Sequence, residues 1–398
     1  MKRTMMLLTV LALVISACGG GDAATTTAAA GATTTAAAGE TTTAAGESTT
    51  TAAAAGDMDA LIAAAQAEGT LTTIALPLDW CGYGDVIAGF TEKYGITENG
   101  LDRGAGSSEE LEAIEANKGN PGPQAPDVID VGVANGPVAV EGGLIQPYKV
   151  ATWDEIPDSA KDPDGYWYGD YYGVLAFEVN TSEVANPPAE YADLLKPEYN
   201  GQIALSGDPL TSNAAMLSVW AAGLSTGATG EEAAQAGLDF FKQLNDMGNF
   251  VPIDGDSRTV GIGETPILID WSYNSIANDV NLAGNPDIET LVPAEGRIAG
   301  LYVQAISAYA PHPNAAKLWM EYLYSDEGQL GYASGYCHPI RFEAMSAAGT
   351  IPAEVLDQLP STEGAFFPSI DEISAAREVI VGGWESVVGV TVETSPSN

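Results

Sequence analysis

Gly69-Thr70-Leu71-Thr72-Thr73-Ile74-Ala75-Leu76-Pro77-Leu78-Asp79-Trp80-Cys81-Gly82-Tyr83-Gly84 carries a strand, a loop and the start of a helix in one short run. Thr70 to Leu76 is apolar and β-branched between Gly69 and Pro77, which predicts a buried strand. Pro77 to Gly84 then reads as a loop, and Val86, Ile87 and Phe90 follow at helical spacing. Before the strand, Met58, Leu61, Ile62 and Ala65 mark a helix from Asp57 to Glu68 that stops at Gly69.

The same order repeats outward. A helix is expected from Ser107-Ser108-Glu109-Glu110, with Ser107 as its cap, and Asp127 to Val133 is a second strand. Strand, loop and helix in repetition predict a parallel sheet with helices on its faces. The aromatic stretch Tyr166-Trp167-Tyr168-Gly169-Asp170-Tyr171-Tyr172-Gly173 leads into a strand from Val174 to Val179. A second series starts with a strand at Ile203 to Ser206, followed by Asp208-Pro209-Leu210-Thr211-Ser212-Asn213 and helices to about Leu224 and from Glu231 to Met247. Ile267 to Ile269 and Leu301 to Ile306 read as strands, and Asn314 to Tyr324 as an amphipathic helix. The expected body is α/β in two lobes: residues 57–173 with 299–345, and residues 174–298. Residues 346–398 form a helical C-terminal segment. A cleft between such lobes is where a small ligand binds.

The N-terminus has its own logic. Lys2 and Arg3 precede an apolar run from Met5 to Ile15, too short to span a bilayer, and Ser16-Ala17-Cys18 closes it. This resembles the lipobox of bacterial lipoproteins, which implies lipidation at Cys18 after removal of the leader. Residues 19–56 are nearly all Thr, Ala and Gly and cannot bury enough apolar surface to order themselves. As a flexible coil they reach on the order of 35 Å. The expected location is the outer face of the cytoplasmic membrane, at the cell surface or in the periplasm.

Composition excludes several roles. Fourteen Lys and Arg stand against 54 Asp and Glu, a formal charge of -40, so nucleic acid is not an expected partner. This acidity is a general surface adaptation or a field that gathers a cationic ligand. Cys81 and Cys337 are either a disulfide or buried thiols. No CxxC or HExxH occurs and the His residues are His312 and His338, so neither a metal nor another cofactor is expected. A secreted hydrolase is the alternative class, with His338 as a base, but no G-x-S-x-G elbow accompanies it.

Four segments carry a family likeness: Ala64-Ala65-Gln66-Ala67-Glu68-Gly69-Thr70-Leu71, Ala125-Pro126-Asp127-Val128-Ile129-Asp130-Val131, Tyr191 to Ile203, and His312-Pro313-Asn314-Ala315-Ala316-Lys317-Leu318-Trp319. With Ser325-Asp326-Glu327-Gly328-Gln329 they resemble the extracellular solute-binding proteins of ABC importers, in the iron, polyamine, thiamine and phosphonate branch. The likeness implies a hinged, two-lobe type II fold without catalysis, acting as a monomer and handing a small solute to a membrane permease. It places ligand contacts at Trp80, Cys81 and Tyr83, at Ser107 and Ser108, at Asn135, at Thr211, Ser212 and Asn213, and around Tyr273. It also brings Cys337 toward Cys81. Ferric binders of this branch carry two adjacent tyrosines where this chain has Trp271-Ser272-Tyr273-Asn274.

Aromatic residues expected in or near the cleft, Trp80, Tyr83, Trp167, Tyr168, Tyr171, Tyr172, Trp271 and Tyr273, are interleaved with Asp79, Asp170, Asp208 and Asp270. Ring faces attract ammonium groups and carboxylates accept their hydrogen bonds. The expected solute is therefore an organic cation such as a polyamine. Thiamine, ferric ion and a phosphonate are the alternatives, the last held at helix starts by backbone N–H groups.

Overall fold

The computed structural model describes residues 55–393; Cys18, the leader and the tether up to residue 54 lie outside the described residues, while Ala55 and Gly56, expected in the tether, belong to the first helix. Helix α1 (Ala55–Glu68) ends at Gly69, whose φ of 74° turns the chain into β1 (Thr70–Ile74). After the loop come α2 (Tyr83–Tyr94), β2 (Thr97–Leu101), α3 (Ser107–Ala116), β3 (Val128–Gly132), α4 (Asn135–Glu141) and β4 (Ile145–Gln146). Strand β5 (Trp167–Asn180) takes in most of the aromatic stretch, which the sequence placed ahead of the strand. Then follow β6 (Ile203–Leu205), α5 (Asn213–Leu224), α6 (Gly230–Met247), β7 (Phe250–Asp254), α7 (Ser257–Gly261), β8 (Ile267–Trp271), α8 (Ser272–Leu282) and β9 (Ile288–Leu291). Strand β10 (Ala299–Ser307) returns the chain, and α9 (Pro313–Leu323), α10 (Asp326–Ser334), β11 (His338–Pro339), α11 (Phe342–Ala348), α12 (Ala353–Leu356) and α13 (Ile370–Val387) complete it.

The main sheet runs β3-β10-β5-β8-β6-β7, with β4 on β10 and both β9 and β11 on β5; β1 and β2 pair separately. The expected parallel sheet is corrected here. Pairings of β10 with β3 and β5, and of β5 with β8, are antiparallel, while β6–β7, β6–β8 and β1–β2 are parallel. Chain order signals parallel pairing only when successive strands become neighbours. Here β10 arrives from late in the chain and inserts between β3 and β5.

One register decides the architecture. Val174 pairs with Ala299 of β10, and the next residue, Leu175, pairs with Trp271 of β8. A single strand thus serves two sheets end to end. Strands β3 and β8 are buried along their whole length, as expected for a sheet covered on both faces. Helix α5 is buried on nearly every side and lies close against α6, where a Cβ on Gly223 would strike the Ala233 carbonyl. Helix α13 starts with a capping box between Ser369 and Glu372 and seats Trp384 against Phe241 and Phe250, with ring centres 5.8 and 6.1 Å away. Cys81 and Cys337 form a disulfide with Cα atoms 5.6 Å apart, tying the loop after β1 to the segment before β11.

Candidate functional site

The site is built on the loop after β1. Trp80 points its indole N–H at the Tyr171 hydroxyl, 2.9 Å away, and its ring meets Tyr273 and Tyr302 edge-on at 5.7 and 5.9 Å. Tyr171 stacks on Tyr302 with ring centres 5.4 Å apart. The hydroxyls of Tyr171 and Tyr83 each donate to Oδ2 of Asp130 at 2.8 Å. Gln304 Nε2 and the Tyr332 hydroxyl donate to the Tyr83 oxygen at 2.9 and 3.2 Å.

Asp130 is 5 % exposed, and its Oδ1 has no partner. Burial pushes its carboxyl up to about 7 against the two phenol hydrogen bonds. Glu110 and Asp170 stand beside it, both raised well above the usual range by burial and then by the charge of Asp130. The Asp130 amide donates to Glu110 Oε2 at 2.9 Å. No Lys or Arg forms an ion pair with any of these three carboxyls among the described residues.

A second acidic group lies on strands β7 and β8. Asp270 is 4 % exposed; Asn274 Nδ2 donates to its Oδ2 at 2.9 Å, and its Oδ1 is unpartnered. Burial raises Asp270 to about 6, against the Asn274 bond. Burial, then Asp256, raises Asp254 to about 6. Asp208 is raised as well, chiefly by burial.

Asp130 and Glu110 of the first group and Asp208, Asp254 and Asp270 of the second line one cavity of about 600 Å³, whose lining does not include Asp170. Its carboxylates are Asp79, Asp102, Glu109, Glu110, Asp130, Asp208, Asp254, Asp256 and Asp270, and its one basic residue is Arg103. Arg103 is already engaged, donating to both Glu98 oxygens at 3.0 and 2.8 Å and to the Leu76 carbonyl at 2.6 Å. Tyr171 and Tyr302 add phenol faces, and Trp80 the indole. Acidic side chains and aromatic walls thus dominate the lining, and the single arginine is already paired.

Of the expected contact residues, Trp80, Ser107, Asp208, Thr211, Ser212, Asn213 and Asp270 line the cavity. Several of these hold the frame. Ser107 is not the cap of α3: Gly106 takes that position, Glu109 bonds back to its amide at 2.7 Å, and the Ser107 hydroxyl accepts from the Gly132 amide at 3.0 Å. Ser212 caps α5, accepting from the Ala215 amide at 3.3 Å. The rest stand off the cavity. Cys81 is taken up by the disulfide, and Tyr83 lies behind Asp130. Tyr273 is buried behind Trp80 beside Gly173, with Trp271 stacked on it at 6.1 Å. Tyr172 stacks on His338 at 5.0 Å. Ser108 and Asn135 turn to Arg377. Trp167 and Tyr168 are core, the latter packed on Trp153 and Tyr324.

Asp102, Glu109, Glu110, Asp130, Asp254, Asp256 and Tyr302 also line the cavity and were not expected there. A signal existed for two of them. Val128-Ile129-Asp130-Val131 and Pro252-Ile253-Asp254 each set an acid into an apolar strand, where an unpaired carboxylate is costly unless it serves a ligand. Among the described residues no group of His, Cys, Asp and Glu could hold a metal ion, and no helix is long and apolar enough to cross a membrane.

Comparison with known proteins agrees with this architecture. An uncharacterized protein of Haemophilus influenzae is 30 % identical over 257 residues, covering 60 % of this chain and 68 % of its own. The iron uptake protein A2 of Synechocystis sp. is 27 % identical over 215 residues, covering 50 % of this chain and 59 % of its own. Among solved structures, AfuA from Actinobacillus pleuropneumoniae with fructose-6-phosphate bound superposes with a TM-score of 0.64, at 22 % identity over 81 % of this chain and 99 % of that one. Iron-bound HitA from Pseudomonas aeruginosa gives 0.57, at 18 % identity over 81 % and 99 %. A Listeria monocytogenes protein provisionally assigned as a spermidine/putrescine ABC transporter gives 0.59, at 15 % identity over 79 % and 98 %. These structures share the two-lobe type II fold. The family model of the bacterial extracellular solute-binding proteins matches residues 124–375. With its cavity set between two halves joined through β5, the chain belongs to that family, whose members bind solutes and are not enzymes.

Proposed function

We propose that this protein captures a small organic cation of the polyamine kind and delivers it to the permease of an ABC importer. The observation that carries the reading is the cavity lining of nine carboxylates against one arginine already paired with Glu98. Asp130 and Asp270 each keep a buried oxygen without a donor. An ammonium group supplies both the missing hydrogen bonds and the missing charge. With one acidic group around Asp130 and another around Asp254 and Asp270, a solute carrying two cationic ends suits the cavity best. Trp80, Tyr171 and Tyr302 would cover its methylene chain. Phosphonates and sugar phosphates would meet like charge on nearly every side.

The lobes in this reading are residues 57–173 with 299–345, and residues 174–298, meeting where β5 changes partners. Cys18 would hold the receptor at the membrane through lipid, with residues 19–56 as its tether. Thermal denaturation of the full chain against putrescine, spermidine, thiamine, ferric citrate, a phosphonate and fructose 6-phosphate tests the solute class. A true solute at a hundred times its Kd adds about 2.7 kcal/mol. Stabilisation by the diamine and triamine is the expected result. Stabilisation by the phosphonate or sugar phosphate alone would overturn it. A visible absorption band with ferric citrate, lost in Tyr171→Phe, would move the assignment to iron.

A further inference from the structure

Helix α13 is seated on α6 and β7 through Trp384, and Asn245 Nδ2 reaches the Val388 carbonyl at 3.4 Å. From this helix Arg377 crosses to the other side of the β5 division. Its Nη1 donates to Asn135 Oδ1 at 2.5 Å and its Nη2 to Ser108 Oγ at 2.6 Å. Asn135 opens α4 and Ser108 lies in the first turn of α3. One side chain therefore grips the starts of two helices flanking β3. The first turn of α3 is also a wall of the cavity, through Gly106, Ser107, Glu109 and Glu110.

The junction around this grip is tight. The Ser108 amide donates to the Thr211 carbonyl at 3.4 Å, and Gly106 and Gly132 lie so close to Thr211 and Asn213 that a Cβ at either would strike them. Only about 10 Å³ remains beside Arg377, room for roughly one water. In a chain with 54 acidic residues, Arg377 makes no ion pair among the described residues. Both of its partners are neutral, and its charge stands at helix starts, where the backbone dipoles oppose it. Such a contact depends on geometry. Bonds from an arginine to two neutral partners are weaker than an ion pair with a buried carboxylate and can be exchanged for water.

We infer that Arg377 is a clasp: a positioning residue on the C-terminal helix that holds the α3 wall against the opposite side and slows escape of the solute. The inference rests on the cavity being the solute site and not on the solute's charge. Hydrogen exchange on the full-length protein tests it, comparing the wild type with Arg377→Met, which keeps length without charge, and Arg377→Lys, which keeps charge with one prong. The amides of Ser108, Glu109 and Glu110 should exchange at least tenfold faster in Arg377→Met and by an intermediate factor in Arg377→Lys. Those of Ile380 to Trp384 should be unchanged. Unaltered α3 protection would overturn the clasp, and so would loss of protection within α13, which would make Arg377 a docking residue for its own helix. Putrescine release, followed by Trp80 fluorescence, should quicken in Arg377→Met. If neither putrescine nor spermidine binds, the cation reading fails while the exchange result still decides the clasp.

Discussion

The hydroxyl of Tyr171 donates to Asp130 Oδ2 at 2.8 Å while accepting from Trp80, so the aromatic wall of the cavity and its buried acid are one hydrogen-bonded unit. Asp130→Asn keeps the shape and removes the charge. Affinity for a diamine should fall at least tenfold, about 1.4 kcal/mol, by calorimetry. Tyr171→Phe should produce a smaller loss, because Tyr83 still donates to the same oxygen.

Acidification should weaken capture. With Asp130 raised to about 7 and Asp254 and Asp270 to about 6, these groups take up protons as pH falls from 7.5 to 5.5. Affinity for a cation should drop across that window, and binding near pH 6.5 should release protons, seen as heats that change with buffer ionisation.

Stability of the solute-free protein should move the other way. A carboxyl raised from 3.8 binds more protons folded than unfolded between its two values, so stability decreases as pH rises through that range. The thermal midpoint should be higher at pH 5.5 than at pH 8. An unchanged midpoint would mean that the buried acids are already compensated.

The Cys81–Cys337 bond spans 256 residues of chain and holds the loop that carries Trp80. Its removal by Cys81→Ala with Cys337→Ala should cost about 2–5 kcal/mol in a denaturant titration. Solute affinity should fall as well, because the indole loses its anchor one residue away.

Gly223 sits where α5 meets α6, with Ala233 O in the path of any side chain. Gly223→Ala should destabilise the fold by about 1–3 kcal/mol through overpacking while leaving affinity at the cavity unchanged.

Most elements are legible in the sequence because each has a local cause. Gly69 stops α1, the apolar Ile267-Leu268-Ile269 makes β8, and the amphipathic run from Asn314 makes α9. The antiparallel pairing is not legible in the sequence, because β10 comes between β3 and β5 from far along the chain. Trp80 and Asp270, which line the cavity, are readable as candidates from their neighbours. Tyr302 gives no such sign in Leu301-Tyr302-Val303; its role comes from stacking on Tyr171. Arg377 was equally silent, since its partners Ser108 and Asn135 lie 269 and 242 residues before it.

Strand β5 has one more consequence. Tyr171, which holds Asp130, and Ala176, which pairs with Asp270, are five residues apart on it. The spacing of the two acidic ends is therefore tied to the rise of one strand, about 17 Å between those backbone positions. On the proposed reading, a single strand would set how far apart the two cationic ends of a solute must lie.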